Sequence, residues 1–318
     1  MEGINEQEIQ ANQWVKFGLR LAVSAALHPF EYSKVLIQLG YEPIAPRPGK
    51  SIFGKDIYVL PNIFRYTSYI KRVDGFSGCY RGLTPKLVGT VVGSICSERI
   101  ADKLGVTDDK LRQESEELSD EEQFDKFLQT LKRDVVVHAS GIIVTHPFHV
   151  ISLRMMATFI GRETTYRSLI GSIVEVYKND GIFGFFNGII PKLLCDLACL
   201  VLTSTTVYLF NKHFIQDQDG RQYFASFTQF VYASLLYPLN VVSTCTAVSG
   251  SGLAAGRPPI MPEYISWKDC YNDLKTRGEL KRGNSLFWRS LPRHSPNAMK
   301  ISVMKDSSVP LPSITKYA

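Results

Sequence analysis

The sequence predicts an all-α membrane protein with several transmembrane helices, and three observations support this prediction. First, residues 135–153 contain no Asp, Glu, Lys or Arg, and residues 222–256 are also free of charged side chains. A spanning helix needs about 20 mainly apolar residues, so residues 223–248 are long enough to cross a bilayer. The second and third observations are two short sequence blocks that each occur three times.

The first block is a proline inside an apolar stretch, followed by a short polar pattern. Its copies are HPFEYSK from His28, THPFHVISLR from Thr145 and YPLNVVS from Tyr237. Proline inside a helix removes a backbone hydrogen bond and kinks the helix, so three kinked helices are expected. Recurrence at long intervals indicates an internal repeat.

The second block joins a glycine turn to an aromatic–polar triplet and a proline. Its copies are Asp74-Gly75 with Tyr80-Arg81-Gly82 and Pro85, Asp180-Gly181 with Phe186-Asn187-Gly188 and Pro191, and Arg282-Gly283 with Trp288-Arg289-Ser290 and Pro292. Proline is tolerated in the first turn of a helix, where its missing N–H would have no intrahelical partner. Each repeat is therefore predicted to be a kinked helix, a polar connector and a second helix that begins with proline.

This pair of blocks resembles the mitochondrial carrier family, whose pattern is Pro-x-acid-x-x-base-x-base followed by acid-Gly-x4-aromatic-base-Gly. The resemblance covers residues 14–293, and three registered copies make it specific. The segments PFEYSKVLIQLGYEP, SIFGKDI, YRGLTPKL, THPFHVISLR and RGNSLFWR further resemble the mitochondrial carrier homologs, a divergent outer-membrane branch of that family.

The predicted organisation follows the repeats. It comprises a polar tail (1–13), carrier repeat 1 (14–105), an acidic loop (106–126), carrier repeat 2 (127–214), a partial repeat 3 with one span (222–293) and a polar C-terminal tail (294–318). The predicted spans are 14–38, 86 to about 103, 127 to about 159, 191–213 and 223–248, with a surface helix at 62–71. Residues 106–125 hold nine acidic and two basic residues, and we expect a solvated connector there.

Carriers have six spans, whereas the sequence after Pro292 has scattered charges and prolines and offers no run of about 20 apolar residues. We therefore expect a carrier-like threefold repeat that lacks the sixth transmembrane helix. A barrel without one wall would leave a laterally open polar groove. Such a groove is costly in hydrocarbon unless water, lipid headgroups or a partner occupy it.

Polar side chains recur at helical spacing along each predicted span. In a bilayer such residues face the bundle interior or a wet cavity. The alternative is that they bond back to their own helix or join neighbouring helices. The residues predicted to line the groove are His28, Glu31, Lys34, Lys86, His149, Arg154, Lys192, Asp196, Thr203, Gln229 and Asn240.

Asp196 is the sharpest single signal, because a carboxylate in a span costs roughly 2.5–3.5 kcal/mol on insertion scales. A local pair with Lys192 at i,i+4 would explain it equally well. The lysines and arginine of the predicted set could equally serve as anchors that extend towards the membrane surface.

The residues that close carriers by salt bridges are incomplete in this sequence. Repeat 1 keeps Glu31 and Lys34, but the other two repeats have His149 with Ser152 and Asn240 with Ser243 at these positions. A ring with one intact acid cannot close in the carrier manner, so ordinary solute transport is not expected.

Other function classes find little support. The six cysteines form no CxxC motif, and His146 and His149 have no third metal ligand, so no metal or cofactor is expected. There is no Ser-His-Asp set, P-loop or Rossmann fingerprint, and we expect no enzyme. The basic residues are not clustered on one amphipathic element, which argues against nucleic-acid binding. The acidic N-terminus resembles neither a secretory signal nor a transit peptide.

The resemblance to the carrier homologs implies a multi-pass protein of the mitochondrial outer membrane. It implies an insertase for α-helical, especially tail-anchored, membrane proteins, with phospholipid scrambling and a receptor role for a BH3 protein. A laterally open polar groove would suit the first two activities. Two alternatives remain open from the sequence: a solute carrier with a degenerate gate, and a non-transporting receptor or scaffold.

Overall fold

The computed structural model describes residues 2–51, 54–103, 120–213 and 218–292, and these ranges are mostly helical. The α-helices are α1 (Glu2–Gln38), α2 (Ile63–Gly78), α3 (Leu83–Lys103), α4 (Asp120–Gly161), α5 (Leu169–Asp180), α6 (Ile189–His213), α7 (Gln218–Leu235), α8 (Tyr237–Val248) and α9 (Trp267–Thr276). Two short 3-10 helices occupy Ile182–Phe186 and Ala254–Gly256. Three strands, β1 (Arg47–Lys50), β2 (Asp56–Val59) and β3 (Ser290–Pro292), form an antiparallel sheet in that order.

Within the described ranges, two helical segments are long and apolar enough to cross a membrane, namely Glu121–Gly161 and Ile182–Asn211. The pair Gly220–Leu235 and Tyr237–Val248 makes a third if the two are counted as one broken span. Only 6% of the most apolar stretch of Ile182–Asn211 is buried inside the protein. Its exposed apolar surface is therefore suited to contact with lipid. The predicted spans at 14–38 and 86–103 are helical but fall outside this set.

The helix bounds differ from the predicted ones at several places. α1 begins at Glu2, so the polar residues before Trp14 continue the helix, and α4 begins at Asp120. Both helices run through their prolines, Pro29 and Pro147. The predicted helix 223–248 is instead two helices, α7 and α8, bent by 54°. Pro238 lies in the first turn of α8, where its missing N–H costs nothing.

The acidic loop and the C-terminal tail lie largely outside the described residues. Of the predicted loop, residues 106–119 are not described, and the rest belongs to the first turns of α4. The predicted tail 294–318 lies wholly outside the described ranges.

Three short helices in the connectors share one local pattern. The side chains of Asn62, Ser168 and Ser266 cap α2, α5 and α9 by accepting a backbone N–H that has no intrahelical partner. A glycine with positive φ follows α5 (Gly181) and α9 (Gly278), and in α2 such a glycine, Gly75, forms a kink near the C-terminal end. Such a conformation favours glycine because it has no Cβ.

This pattern corrects the predicted alignment of the third repeat. Gly278, and not Gly283, occupies the place of Gly75 and Gly181 after a capped helix. Arg282-Gly283 instead corresponds to Arg81-Gly82, because a helix side chain from each repeat bonds the carbonyl of the residue before the second glycine. The described chain beyond Gly283 ends in β3, which includes Pro292.

The core lies where the C-terminal halves of α1 and α4 meet α8. Residues 150–159 of α4 are all buried, as are most residues of 28–39 and 237–249. We call this region the packed end. By contrast, residues 14–27 of α1 and 220–235 of α7 are largely exposed, with Trp14 and Phe230 among the most exposed apolar side chains. The helices are therefore tightly packed at one end and loosely packed at the other.

Candidate functional site

Four of the predicted groove residues form two ion pairs. Lys192 Nζ lies 3.0 Å from Asp196 Oδ2 on α6, and both side chains are about a quarter exposed, at 25% and 26%. Lys86 of α3 pairs with Glu31 of α1, whose side chain is half exposed. The first pair is the local i,i+4 pair that the sequence allowed, whereas the second joins two helices.

Lys34 brings a third cation to the same region. Its Nζ lies 5.2 Å from the ring centroid of Tyr237, a distance suited to a cation–π contact between α1 and α8. Lys34 also lies within electrostatic reach of Glu31 and Lys192. We call Glu31, Lys34, Lys86, Lys192 and Asp196 the charged cluster.

His149 borders this cluster from a fourth helix. It lies on α4, is half-buried, and is within electrostatic reach of Lys86 and Lys192. The charged cluster therefore carries three cations and two anions on α1, α3 and α6, with an imidazole from α4 beside them. Partly exposed charges of both signs can solvate a polar group that would otherwise meet hydrocarbon.

His28 and Arg154 are placed differently, inside the packed end. His28 is fully buried, its Nε2–H donates to the carbonyl oxygen of Arg81 at 3.0 Å, and its ring stacks on Tyr80. Arg154 is also fully buried, and its Nη2 lies 2.6 Å from Asp180 Oδ2. Each side chain joins a helix to a connector, which is a structural role.

The other three predicted residues lie on separate helices. Thr203 of α6 is half-buried, and its hydroxyl has no hydrogen-bond partner within the described ranges. Gln229 of α7 is exposed. Asn240 of α8 is half-buried, and its backbone oxygen accepts a hydrogen bond from Thr244 at 3.0 Å.

The charged cluster has no features of a metal centre. Across the described residues, no group of three or more His, Cys, Asp or Glu side chains is placed to hold a metal ion. The cysteines are free thiols, and four of the six are buried.

Comparison with known proteins decides the family. Residues 126–218 match the family model described as "Mitochondrial carrier protein". The chain is 39% identical over 271 residues to Mitochondrial carrier homolog 2 of Bos taurus, which covers 83% of this chain and 89% of that protein. The chain belongs to the mitochondrial carrier homolog family.

Further relatives give the same family. Mitochondrial carrier homolog 2 of Homo sapiens is 38% identical over 271 residues, with the same coverage of 83% and 89%. Mitochondrial carrier homolog 1 of Mus musculus is 32% identical over 304 residues, covering 89% of this chain and 78% of that protein. Together with the candidate spans, membership makes this carrier homolog a mitochondrial membrane protein.

Two serines at positions where the carrier pattern has a basic residue form hydrogen bonds between successive repeats of the carrier homolog. Ser152 Oγ–H donates to the carbonyl oxygen of Gly82, and Ser243 Oγ–H donates to that of Gly188, both at 2.8 Å. Each serine lies five residues after a repeat proline, where the carrier pattern has its first base. A neutral hydrogen bond between successive repeats has replaced a charge. Their equal distance from Pro147 and Pro238 is the signal that would have identified them.

The sequence analysis also did not predict a largely buried ion pair. Arg289 donates from both Nη atoms to the carboxylate of Glu42, and its Nη1–H also donates to the Pro61 carbonyl at 2.9 Å. Burial raises the pKa of Glu42, and the neighbouring Arg289 guanidinium opposes that rise. Arg289 lies in the third copy of the second block, but no motif relates it to Glu42, which is 247 positions away.

Proposed function

We propose that this carrier homolog is a membrane-protein insertase of the mitochondrial outer membrane, acting on α-helical and especially tail-anchored proteins. The observation that supports the proposal is the charged cluster, which places partly exposed charges of both signs on and beside α6, a helix long and apolar enough to cross a membrane. The activity needs no cofactor and no covalent step, because insertion makes and breaks no bond in the client.

The physical problem in insertion is the hydrophilic end of the client. Each unsatisfied backbone polar group costs several kcal/mol in hydrocarbon, and a charged side chain costs roughly 2.5–3.5 kcal/mol on insertion scales. The two ion pairs of the charged cluster, Lys192–Asp196 and Glu31–Lys86, can open. Each side chain can then bind a polar or charged group of the client instead. The cost of passage is lowered when such groups and their water replace lipid tails.

The apolar segment of the client must leave sideways into lipid. Residues 14–27 of α1 and the helix α7 are largely exposed, and the segment after Gly283 forms a strand where a carrier would begin its sixth helix. These features support a groove that is open to lipid beside α1 and α7. The same groove would let a phospholipid headgroup cross with its tails outside, so we include lipid scrambling in the proposal.

The proposed partners follow from the same groove and from the family. They are α-helical and tail-anchored clients, membrane phospholipids and, by family resemblance, a BH3 protein. A solute carrier is less favoured, because Ser152 and Ser243 make neutral bonds where alternating salt bridges would be needed.

The test is charge reversal at Asp196 in reconstituted protein. We expect Asp196→Lys to lower the initial rate of tail-anchored client insertion into liposomes by about tenfold, as a loss of about 1.4 kcal/mol of barrier lowering would. Insertion is measured by protease protection of a tag on the translocated terminus. The matched control is Glu263→Lys, which reverses an exposed connector carboxylate whose side chain is 62% exposed.

Two results would count against the proposal. Equal insertion by wild type and Asp196→Lys, at equal reconstituted amounts, would leave the protein as a receptor or scaffold. Saturable exchange of a metabolite, lost in the same variant, would instead favour a solute carrier.

A further inference from the structure

The connector of the first repeat and the end of the third repeat are joined by backbone hydrogen bonds. The strand β2 pairs with β1 of its own connector on one side and with β3 on the other, where Val59 faces Ser290. The ladder continues past the strands, since the N–H of Leu60 donates to Arg289 at 2.8 Å and that of Ile63 donates to Leu286 at 2.9 Å. These bonds hold residues 286–292 against the first connector. In a carrier, the sixth helix would begin in this part of the chain.

The Glu42–Arg289 ion pair lies beside this ladder. The side chains are 19% and 6% exposed, so both charges are largely removed from water. Arg289 also bonds the Pro61 carbonyl, which lies directly before α2. A paired and hydrogen-bonded buried charge is strongly destabilised when its partner is removed, because the remaining charge has no compensation. The pair therefore resists separation of the two segments.

A second set of contacts links the same two repeats. Gln38 at the end of α1 donates to the Tyr237 hydroxyl at 2.9 Å, and Tyr237 donates to the Arg282 carbonyl at 2.8 Å. The Cys245 thiol lies among these groups, 3.5 Å from the Gln38 carbonyl and 3.3 Å from Arg282 Nη2. Repeats 1 and 3 are thus joined by two sets of contacts, and the second set joins α1 to α8.

We propose that the Glu42–Arg289 pair and the strand contacts around it, here called the clamp, keep the packed end of the molecule shut. The charged cluster is then reached from the end to which residues 14–27 lead, or from the side. The identity of the molecule that reaches the cluster rests on the proposed function. The closure of the packed end by the clamp does not depend on that function.

The proposal separates this protein from a carrier in mechanism. Alternating access requires both ends to open in turn, and each opening must break the contacts that close that end. At the packed end an opening would have to expose a buried ion pair, part of a sheet and the Gln38–Tyr237–Arg282 chain together. Opening motions are drawn from regions that make few packing contacts, and residues 14–27 and 220–235 are largely exposed within the protein. Of the two ends of the helical bundle, we therefore expect only the end to which residues 14–27 lead to open.

The native Cys245 thiol provides the test, because it is fully buried and lies between Gln38 and Arg282 at the packed end. The full-length protein in phosphatidylcholine nanodiscs is treated with a charged maleimide, and labelling at Cys245 is followed by peptide mass spectrometry. We expect slow labelling in wild type and a rate about tenfold higher in Glu42→Gln, because local opening controls access to a buried group. The matched control Glu263→Gln alters an exposed carboxylate and should label like wild type.

Two further variants separate loss of the clamp from general misfolding. The charge swap Glu42→Arg with Arg289→Glu should restore slow labelling, since it keeps a pair of opposite charges. Arg289→Lys should give an intermediate rate, because lysine keeps the charge but cannot donate bidentately. If Glu42→Gln does not fold, Arg289→Lys alone decides the outcome.

The proposal is overturned by either of two results. Rapid labelling of Cys245 in the wild-type protein would show that the packed end opens. Equal labelling in wild type, Glu42→Gln and Arg289→Lys would show that the pair does not keep it closed. If wild type fails to insert clients but keeps the expected labelling pattern, the proposed function fails while the clamp stands.

Discussion

At the scale of single residues, Arg154 shows how a charge can be buried in this fold. Its side chain is fully buried, yet Nη2 faces Asp180 at 2.6 Å and Nε–H donates to the Ala247 carbonyl at 3.1 Å. Hydrogen bonds to a charged group are stronger than neutral ones, and they offset the loss of hydration. Arg154 therefore joins α4 to both the second connector and α8.

We predict that Arg154→Met strongly destabilises the protein, by about 3–5 kcal/mol, because Asp180 would be left without its buried partner. Thermal unfolding in detergent measures the change. Arg257→Met is the matched control, since that arginine is 57% exposed and its nitrogen lies 3.7 Å from Glu263. The control should change stability by about 0.5 kcal/mol or less. Similar melting of the two variants would contradict the role given to Arg154.

At the scale of elements, the connectors are held against the helices of the following repeat. Gly188 begins the turn into α6 with a φ of +80°, and a Cβ there would lie 2.5 Å from the Ser243 carbonyl oxygen. Only glycine lets the loop approach α8 closely enough for the Ser243 hydroxyl to reach the Gly188 carbonyl. Sequence, turn conformation and interhelical contact therefore depend on one another at this place.

Gly188→Ala should accordingly cost clearly more stability than Gly181→Ala. Both glycines have positive φ, so both variants bear a backbone cost of roughly 1–2 kcal/mol. A Cβ at Gly181 meets nothing within 4 Å, whereas one at Gly188 meets backbone of α8. Chemical denaturation in detergent compares the pair directly. Equal losses would mean that the close approach of the loop to α8 does not contribute.

At the scale of the whole molecule, packing changes from one end to the other. The residues 150–159 of α4 are all buried, while residues 14–27 of α1 are mostly exposed. The charged cluster belongs to helices of both regions, with Lys34 touching Tyr237 and the Glu31–Lys86 pair partly exposed. The buried end and the exposed end of the same helices therefore differ in packing, and the proposed insertion would use the exposed end.

If insertion and lipid scrambling use one groove, Asp196→Lys should lower both in the same liposomes. A headgroup and a polar peptide terminus face the same desolvation cost, so each rate should fall by a factor on the order of ten. Scrambling is followed by dithionite quenching of a fluorescent phosphatidylcholine. Unchanged scrambling beside reduced insertion would show that the two activities use separate paths.

The sequence alone was sufficient for the helical nature of the protein, its membrane character and its family, which the structure and the relatives confirm. These properties depend on local patterns: helical spacing, apolar length and motifs repeated within short segments. The local Lys192–Asp196 pair was foreseeable for the same reason. The groove-lining role of the predicted residues stays a prediction.

Only the tertiary structure decided which polar residues face one another across the bundle. Glu42 and Arg289 are 247 residues apart, and Gln38 and Tyr237 are 199 apart, so no local pattern relates them. Nor could spacing show that His28 and Arg154 point into the packed end while Lys34 meets Tyr237. Helical periodicity specifies the face that a residue occupies, but the neighbour of that face is set by packing between distant segments.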